Sequence, residues 1–341
     1  MHVAVIGFGR FGRALVSLLV EKGHSVSAWD PKAAVPAEHA MESLADSKKA
    51  TFVGLAVPVP AIEAALASIR PYLSPSQIVF DVGSVKVKPA AAMRAALGAE
   101  IPWAATHPLF GPMSLALAER PMRVVVCPAP EHPAAAARVR ELFESLDCRV
   151  TEQTPEGHDR VMAHTHALTF FVAKGMLDAG AGMEVAFAPP SFQALARAIE
   201  TVRSDAGHLF AAIASENPFA AEARKRLVEA LTSLDHALDA PPTTEPLAIP
   251  DLGERSFELK ETREHIDALD HEIVALLERR TELSRHAGHA KKALGAPVLD
   301  AAREAKVLEA RGEWAREHGL DEDAIHEIFR AIMKLSRRVQ G

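Results

Sequence analysis

Residues 3–15 read Val-Ala-Val-Ile-Gly-Phe-Gly-Arg-Phe-Gly-Arg-Ala-Leu. The first four residues form an apolar run that predicts a buried strand, and the residues after the last glycine favour a helix. Between them, Gly7, Gly9 and Gly12 follow the G-x-G-x-x-G spacing. The first glycine permits a tight turn, the second lets a pyrophosphate approach the main chain, and the third lets the helix pack on the strand. The stretch therefore predicts a loop that holds phosphates on helix N–H groups.

An acidic residue follows this loop at the distance that a dinucleotide site requires. The second apolar run, Ser25–Trp29, ends at Asp30, about 20 residues further on, where a carboxylate would hold a ribose 2′-hydroxyl. Because the same carboxylate repels a 2′-phosphate, we expect NAD rather than NADP. The residues expected to bind the cofactor are Gly7, Phe8, Gly9, Arg10, Phe11, Gly12 and Asp30.

The bulk composition excludes several classes of protein. The chain has 341 residues, a formal net charge of −7 and only two cysteines, so it is long enough for two or three domains. The acidic excess argues against a nucleic-acid partner, and no apolar run reaches the ~18 residues that span a membrane. Two cysteines without C-x-x-C spacing predict a reducing cytoplasm and no disulfide framework.

Further strand-like runs alternate with helical stretches and predict a parallel, doubly wound sheet. These runs are Thr51–Val57, Gln77–Asp81, Trp103–Thr106 and Arg123–Cys127. Ligand loops follow the carboxyl ends of such strands. Two segments at those ends are rich in reactive side chains, namely Asp81-Val-Gly-Ser-Val-Lys86 and Thr106-His-Pro-Leu-Phe-Gly-Pro112.

The second half of the chain has a helical pattern with one interruption. Residues 154–239 are alanine-rich, and residues 240–256 are rich in proline and small polar residues, which is typical of a linker. Three helices are then predicted, at about 258–294, 300–317 and 321–340. The first is too long to bury its own apolar stripe, so it needs a partner.

Charged side chains in these last helices recur at helical spacing. Arg280 and Lys291 lie about three turns apart and so point the same way. Solvated surface charge is the ordinary explanation of such residues, whereas convergence of several cations with hydroxyl or amide donors suits a small dianion. Arg263 lies roughly 25 Å before Arg280 along a straight helix. One metabolite cannot contact both in one chain, so Arg263 would serve a partner subunit's site.

Residues 258–341 resemble the all-helical chorismate mutases along their whole length. The resemblance covers the family's active-site positions, which here are Arg263, Arg280, Lys291, Asp300, Arg303, Glu304, Ser336 and Gln340. It implies that Lys291 and Gln340 contact the breaking ether oxygen of chorismate. The other six residues would bind and orient the substrate, with Arg263 coming from the partner subunit of a homodimer.

Residues 1–240 resemble the prephenate dehydrogenases. The resemblance rests on the glycine loop, Asp81-x-x-Ser84-Val-Lys86, His107-Pro-Leu-Phe-Gly-Pro112 and His158-Asp159. It implies that a neutral His107 draws the proton of the substrate's 4-hydroxyl, and that Ser84 holds this hydroxyl or the histidine. The whole chain then resembles the bifunctional chorismate mutase/prephenate dehydrogenases of tyrosine biosynthesis, with the mutase placed last.

The expected organisation follows from these two resemblances. It comprises an α/β Rossmann-type NAD-binding domain at 1–153, an all-α dehydrogenase dimerisation domain at 154–239, a linker at 240–256 and an all-α mutase domain at 257–341.

The dehydrogenase resemblance is incomplete at two positions. The arginine that binds the substrate's ring carboxylate in that family aligns with Thr201 here. Arg203 lies two residues after Thr201, and we expect it to take the place of that arginine. Arg197 lies one turn before Thr201. A family histidine is replaced by Phe170. Arogenate or 4-amino-4-deoxyprephenate as substrate, or a non-catalytic ligand-sensing half, therefore stay open as alternatives.

His164 and His166 could be taken for a pair of metal ligands. They lie two apart on a predicted helix, so their side chains diverge, and we expect no metal. Ordinary packing or contact with solvent is the expected environment of both, and His158 is expected to support the start of its helix or the active site.

Overall fold

The structure is a computed structural model that describes residues 1–116, 122–181, 213–239 and 259–340, with isolated residues between 189 and 199. The chain divides into two compact units, Met1–Met113 with Pro121–Thr244 and Ser114–Arg120 with Glu245–Gly341. None of the helices in the described ranges is long and apolar enough to cross a membrane.

One seven-stranded sheet organises the first unit, with strand order β2-β1-β3-β4-β5-β6-β7. The strands are β1 His2–Ile6, β2 Ser25–Trp29, β3 Phe52–Leu55, β4 Ile78–Asp81, β5 Trp103–Pro108, β6 Met122–Pro128 and β7 Cys148–Glu152. The strand order reverses at β1, which lies between β2 and β3. Ligands of open α/β sheets bind beyond the carboxyl ends of the strands at such a reversal, and the glycine loop follows β1 there.

The prediction of a wholly parallel sheet is wrong for one pair of strands. β6 runs antiparallel to β5, with His107 opposite Val125, whereas the other neighbouring pairs are parallel. A parallel return needs a crossover that is usually a full helix, and the described part of this connection holds only the five-residue helix Pro112–Ala116. The strand β7 was not predicted because its outer residues are exposed and lack a continuous apolar run.

Helices pack around this sheet and continue beyond it. They are α1 Arg10–Glu21, α2 Ile62–Ile69, α3 Val87–Leu97, α4 Pro112–Ala116, α5 Pro133–Glu144, α6 Pro155–Met162, α7 Leu168–Asp178 and α8 Ala220–Asp239. A π-helical segment, Ala163–Ala167, joins α6 to α7. Short 3₁₀ turns lie at Leu44–Lys49, Val59–Ala61 and Arg70–Tyr72. The strands β3, β4 and β5 are buried throughout, as expected where helices cover both faces of a sheet.

Residues 259–340 of the second unit form three helices, and these confirm the predicted spans to within one residue. These are α9 Leu259–Ala293, α10 Ala301–Glu317 and α11 Glu322–Gln340. Gly295 and Gly319 follow the first two with φ of +65° and +66°, the left-handed conformation that ends helices. The Asp321 carboxylate caps α11 by accepting the Ala324 N–H at 2.7 Å.

Candidate active sites

The glycine loop has the geometry of a phosphate cradle. Gly7 has φ of +105°, where a side chain would be strained. A Cβ on Gly12 would collide with the carbonyl oxygen of Gly7, so this glycine permits the close packing of α1 on the loop. A Cβ on Gly9 would meet nothing within 4 Å. Packing within the described chain therefore does not require a glycine at position 9. A ligand that approaches the main chain closely at this position would require one.

The start of α1 suits an anion. Gly9 is the N-cap residue, no side chain caps the helix, and its first turn carries no acidic residue. The first N–H groups of a helix have no partner within it, and the helix dipole adds positive potential there. Among the other predicted cofactor residues, Arg10 is exposed and Phe8 is buried, with the Arg13 guanidinium 5.4 Å from its ring. The ring of Phe11 lies 6.1 Å from that of Phe110.

Asp30 is held in place beside this loop by main-chain donors. Its carboxylate accepts the N–H groups of Phe8 at 2.7 Å, Lys32 at 2.7 Å and Ala33 at 2.8 Å. Partial burial raises the pKa of Asp30, but these three hydrogen bonds and the Lys32 charge outweigh burial and hold that pKa below its ordinary value. A carboxylate can accept four hydrogen bonds, so one acceptor position is left for a ribose hydroxyl.

A fully buried ion pair lies at the carboxyl ends of β4 and β5. The Lys86 ammonium donates to the Asp81 carboxylate and, at 2.5 Å, to the Thr106 carbonyl oxygen. The same carboxylate accepts the N–H groups of Gly83 at 2.9 Å and Thr106 at 3.1 Å. These contacts fix the end of β5 and, with it, the next residue along the strand, His107.

His107 is the first member of a buried hydrogen-bonded chain. Its Nδ1 lies 2.9 Å from Nε2 of His158, and Nδ1 of His158 lies 2.7 Å from the Asp159 carboxylate. A carboxylate only accepts hydrogen bonds, so Nδ1 of His158 carries a proton and, with His158 neutral, its Nε2 is the acceptor. The His107 proton then lies on Nδ1, which leaves the lone pair on Nε2 to receive another proton. This tautomer is assigned from the hydrogen bonds.

The electrostatic surroundings keep His107 neutral. Burial lowers its pKa well below the ordinary value, and the nearby His158, Lys86 and His166 side chains lower it further. A neutral imidazole whose Nε2 accepts no hydrogen bond from the described residues is the form that a general base needs.

Asp159 also fixes the start of α3. Its carboxylate accepts the main-chain N–H groups of Lys86 at 2.7 Å and Val87 at 2.9 Å, and the Asn217 side chain donates to its carbonyl oxygen at 2.8 Å. Sequence reasoning assigned His158 a supporting position but missed this carboxylate. The His-Asp dipeptide was visible, although nothing local indicated which elements it joins.

Ser84, His164 and His166 are the other polar residues that sequence reasoning considered for this half of the chain. Ser84 is almost buried, and its hydroxyl makes no hydrogen bond with any residue that the structure describes. The ring of His166 lies 6.2 Å from that of His107 and nearly parallel to it, whereas His164 is exposed. The predicted divergence of these two histidines is therefore confirmed, and His166 is the one that faces His107.

In the second unit, several mutase positions lie close together. The Arg280 guanidinium donates to the Ser336 hydroxyl, which donates to the Ile332 carbonyl oxygen at 3.1 Å. Burial lowers the pKa of Arg280, and the charge of Arg311 lowers it further. Glu304 accepts from Arg337, a contact that sequence reasoning missed.

The remaining mutase positions use their polar groups differently. The Lys291 ammonium donates to the Val298 carbonyl oxygen at 2.7 Å. Asp300 caps α10 by accepting the Arg303 N–H at 2.9 Å, and the Arg303 side chain is exposed. Oε1 of Gln340 is buried and has no hydrogen-bond partner, within the part of the chain that the structure describes.

The structure does not describe the side chains of two predicted substrate-binding arginines. Arg203 and its alternatives Thr201 and Arg197 are not among the described residues, and of Arg263 only the helical main chain is. Their proposed roles stay predictions, as do those of the other site residues and the boundary between the two dehydrogenase domains.

Comparison with known families matches both parts of the chain. Residues 262–341 match the family described as chorismate mutase type II, and residues 22–152 match the prephenate dehydrogenase nucleotide-binding domain. A 4-amino-4-deoxyprephenate dehydrogenase of Streptomyces pristinaespiralis is 29% identical over 255 residues, which cover 70% of this chain and 84% of that protein.

Two further comparisons concern the mutase and the fold. An intracellular chorismate mutase of Mycolicibacterium smegmatis is 39% identical over 75 residues, which cover 22% of this chain and 71% of that protein. A crystal structure of prephenate dehydrogenase from A. aeolicus aligns with a TM-score of 0.56 at 19% identity, over 80% of this chain and 98% of that one; this likeness shows the fold. The chain thus belongs, in residues 262–341, to the type II chorismate mutase family, and its residues 22–152 match the nucleotide-binding domain of the prephenate dehydrogenases.

Proposed function

We propose that the protein is a bifunctional enzyme of tyrosine biosynthesis. Its mutase rearranges chorismate to prephenate, and its dehydrogenase converts prephenate to 4-hydroxyphenylpyruvate and carbon dioxide. The observation that carries the dehydrogenase half is the chain of His107, His158 and Asp159, at 2.9 and 2.7 Å, which leaves a neutral imidazole whose Nε2 has no hydrogen-bond partner in the described part of the chain. For the mutase half it is the family match of residues 262–341.

The cofactor is NAD, which accepts the hydride when bound. The residues fit it, because the glycine loop leaves open space at Gly9 and the start of α1 is uncapped by any side chain. Asp30 would receive a ribose hydroxyl, and its carboxylate, ionised at neutral pH, would repel a 2′-phosphate.

His107 acts as the general base of the dehydrogenase. Its Nε2 accepts the proton of the substrate's 4-hydroxyl as the hydride leaves the same ring carbon. His158 and Asp159 orient the imidazole and keep its proton on Nδ1, so that Nε2 faces the substrate as the acceptor. The bond to the ring carboxyl then breaks, carbon dioxide leaves, and the electron pair of that bond makes the ring aromatic, while the ring oxygen takes back the proton that Nε2 of His107 had accepted. Ser84, whose hydroxyl is unengaged among the described residues, holds the substrate hydroxyl.

The mutase reaction needs no proton transfer from the protein. Lys291 and Gln340 stabilise negative charge on the breaking ether oxygen. Arg280 binds a carboxylate, because a guanidinium matches a carboxylate with two parallel hydrogen bonds. Ser336 already accepts from Arg280 and so sets its direction. Asp300, Arg303 and Glu304 orient the ring and its hydroxyl.

Prephenate is favoured as the dehydrogenase substrate because the mutase on the same chain makes it. A second candidate substrate is 4-amino-4-deoxyprephenate, favoured by the 29% identity with the Streptomyces dehydrogenase of that name. An amine in place of the hydroxyl would present a cation to His107. Lys86 and two more histidines lie close by, and this basic environment disfavours such a cation. Specificity constants for prephenate, arogenate and the amino compound, measured side by side, decide between them.

The enzyme works as a homodimer in the cytoplasm. Helix α9 exposes a stripe of apolar side chains, Ile266, Leu269, Ile273, Val274 and Leu276, each more than half exposed. Helix α8 exposes Leu231 and Leu238 in the same way. A second copy of the chain would cover such stripes and would bring its Arg263 to the mutase site. Both cysteines are free and buried, which fits a reducing compartment.

The test of the proposed function separates the two activities on one chain. Lys291→Ala is expected to abolish the conversion of chorismate and to spare the oxidation of supplied prephenate. His107→Asn is expected to do the converse and to retain NAD binding. Loss of both activities in either folded variant would contradict two independent sites. A wild-type chain inactive with chorismate, and with prephenate and NAD, would reject the proposal.

A further inference from the structure

Helices α9 and α11 are in close contact at Gly288 and Gln340. A Cβ built on Gly288 would lie 2.9 Å from Cα, 3.0 Å from the carbonyl oxygen and 3.1 Å from Cβ of Gln340. Two of these atoms belong to the main chain, which cannot rotate away as the tip of a side chain can. The contact therefore exists only because residue 288 has no side chain.

The side-chain oxygen of Gln340 does not hold the residue in place. Gln340 is the last residue of α11, where helices fray. Its Oε1 is buried and accepts no hydrogen bond from the described residues. The contact with Gly288 sets how closely this helix end can approach α9.

Helix α9 also carries Lys291, one turn beyond Gly288 and on nearly the same side of the helix. Gly288 thus determines how near Gln340 lies to Lys291, its proposed partner at the ether oxygen. Glycine is a poorer helix former than alanine, so Gly288 weakens α9 at this point. In return it permits the close approach of Gln340.

We propose that Gly288 is a positioning residue of the mutase, which acts by allowing the main chain of Gln340 to approach α9. The proposal rests on the proposed mutase activity. The glycine contacts no substrate, and its effect is exerted through the Gln340 amide. A displaced amide would weaken a hydrogen bond that forms with charge developing in the transition state, so kcat is the quantity affected.

The test is the Gly288→Ala variant of the full chain. We expect mutase kcat to fall about tenfold to hundredfold, the range for loss of one hydrogen bond to a charged group, while the KM for chorismate stays near that of the wild type. Gly312→Ala is the matched control. The three atoms nearest to its Cβ belong to the ends of the Glu322 and His326 side chains, which can rotate away, so kcat should stay unchanged. Dehydrogenase activity of the same chain measures the concentration of intact protein.

A double-mutant cycle separates positioning from general damage to the helices. In a Gln340→Ala background, Gly288→Ala should cause little further loss, because the group on which it acts is absent. Wild-type kcat in Gly288→Ala, or losses that multiply in the double variant, would overturn the proposal. An inactive wild-type mutase would instead reject the proposed function.

Hydrogen exchange of the wild-type chain gives a second measurement, which does not depend on folding of a variant. The peptide that ends α11 should exchange its amides slowly, because the contact restrains it. Exchange as fast as in an unstructured peptide would also overturn the proposal.

Discussion

His158 offers the sharpest test of the hydrogen-bonded chain in the dehydrogenase. His158→Phe keeps a ring of similar size but removes the acceptor that lies 2.9 Å from Nδ1 of His107. The Asp159 carboxylate keeps its two main-chain donors, at 2.7 and 2.9 Å, so α3 stays capped and the protein should fold. The variant therefore isolates the orientation and tautomer of His107.

The size of the effect follows from the hydrogen bond that is lost. A buried donor without an acceptor costs about 1–3 kcal/mol. That cost disfavours the tautomer in which Nε2 can receive a proton, so kcat for prephenate oxidation should fall about tenfold to hundredfold. The nearby His158 also lowers the pKa of His107, after the larger effect of burial. Removing it should shift the acidic limb of kcat/KM to higher pH.

The assay is the absorbance of reduced cofactor with supplied prephenate and saturating NAD. Mutase turnover of the same preparation is the internal control and should not change. His158→Gln is the matched variant, because its amide can donate to Asp159 and accept from His107, and it should retain more activity than the phenylalanine variant. Wild-type kcat in His158→Phe, or equal losses in both folded variants, would refute the reasoning.

Three further predictions concern the loop, the buried ion pair and pH. Gly9→Ala should fold normally, because its Cβ meets nothing within 4 Å. Calorimetry should show that this variant binds NAD at least about tenfold more weakly, because a bound pyrophosphate lies there. Gly12→Ala should instead lower the midpoint of urea unfolding. Lys86→Met leaves the Asp81 carboxylate buried without its cation, so the free energy of unfolding should fall by about 3–5 kcal/mol in urea titrations; unchanged stability would contradict this. Because a lowered pKa keeps His107 neutral, the acidic loss of wild-type kcat/KM should occur well below pH 6.5, and a midpoint at or above that value would disprove it.

Features that depend on neighbouring residues could be predicted from the sequence. The strand, glycine loop and helix at the start lie within one short stretch, and Asp30 directly follows the next strand. The helices α9, α10 and α11 follow from apolar spacing and from the glycines after the first two. Turn geometry and helical periodicity act over a few residues, so local sequence is enough to reveal them.

Features that join distant residues required the tertiary structure. His107 lies near the end of β5 while His158 and Asp159 lie on α6, and only the packing of that helix against the sheet brings them to hydrogen-bonding distance. The antiparallel return of β6 likewise depends on which sheet edge the chain meets. The contact of Gly288 with Gln340 depends on the distance between two helices. Each of these pairings is selected by the burial of the whole core, which no local pattern encodes.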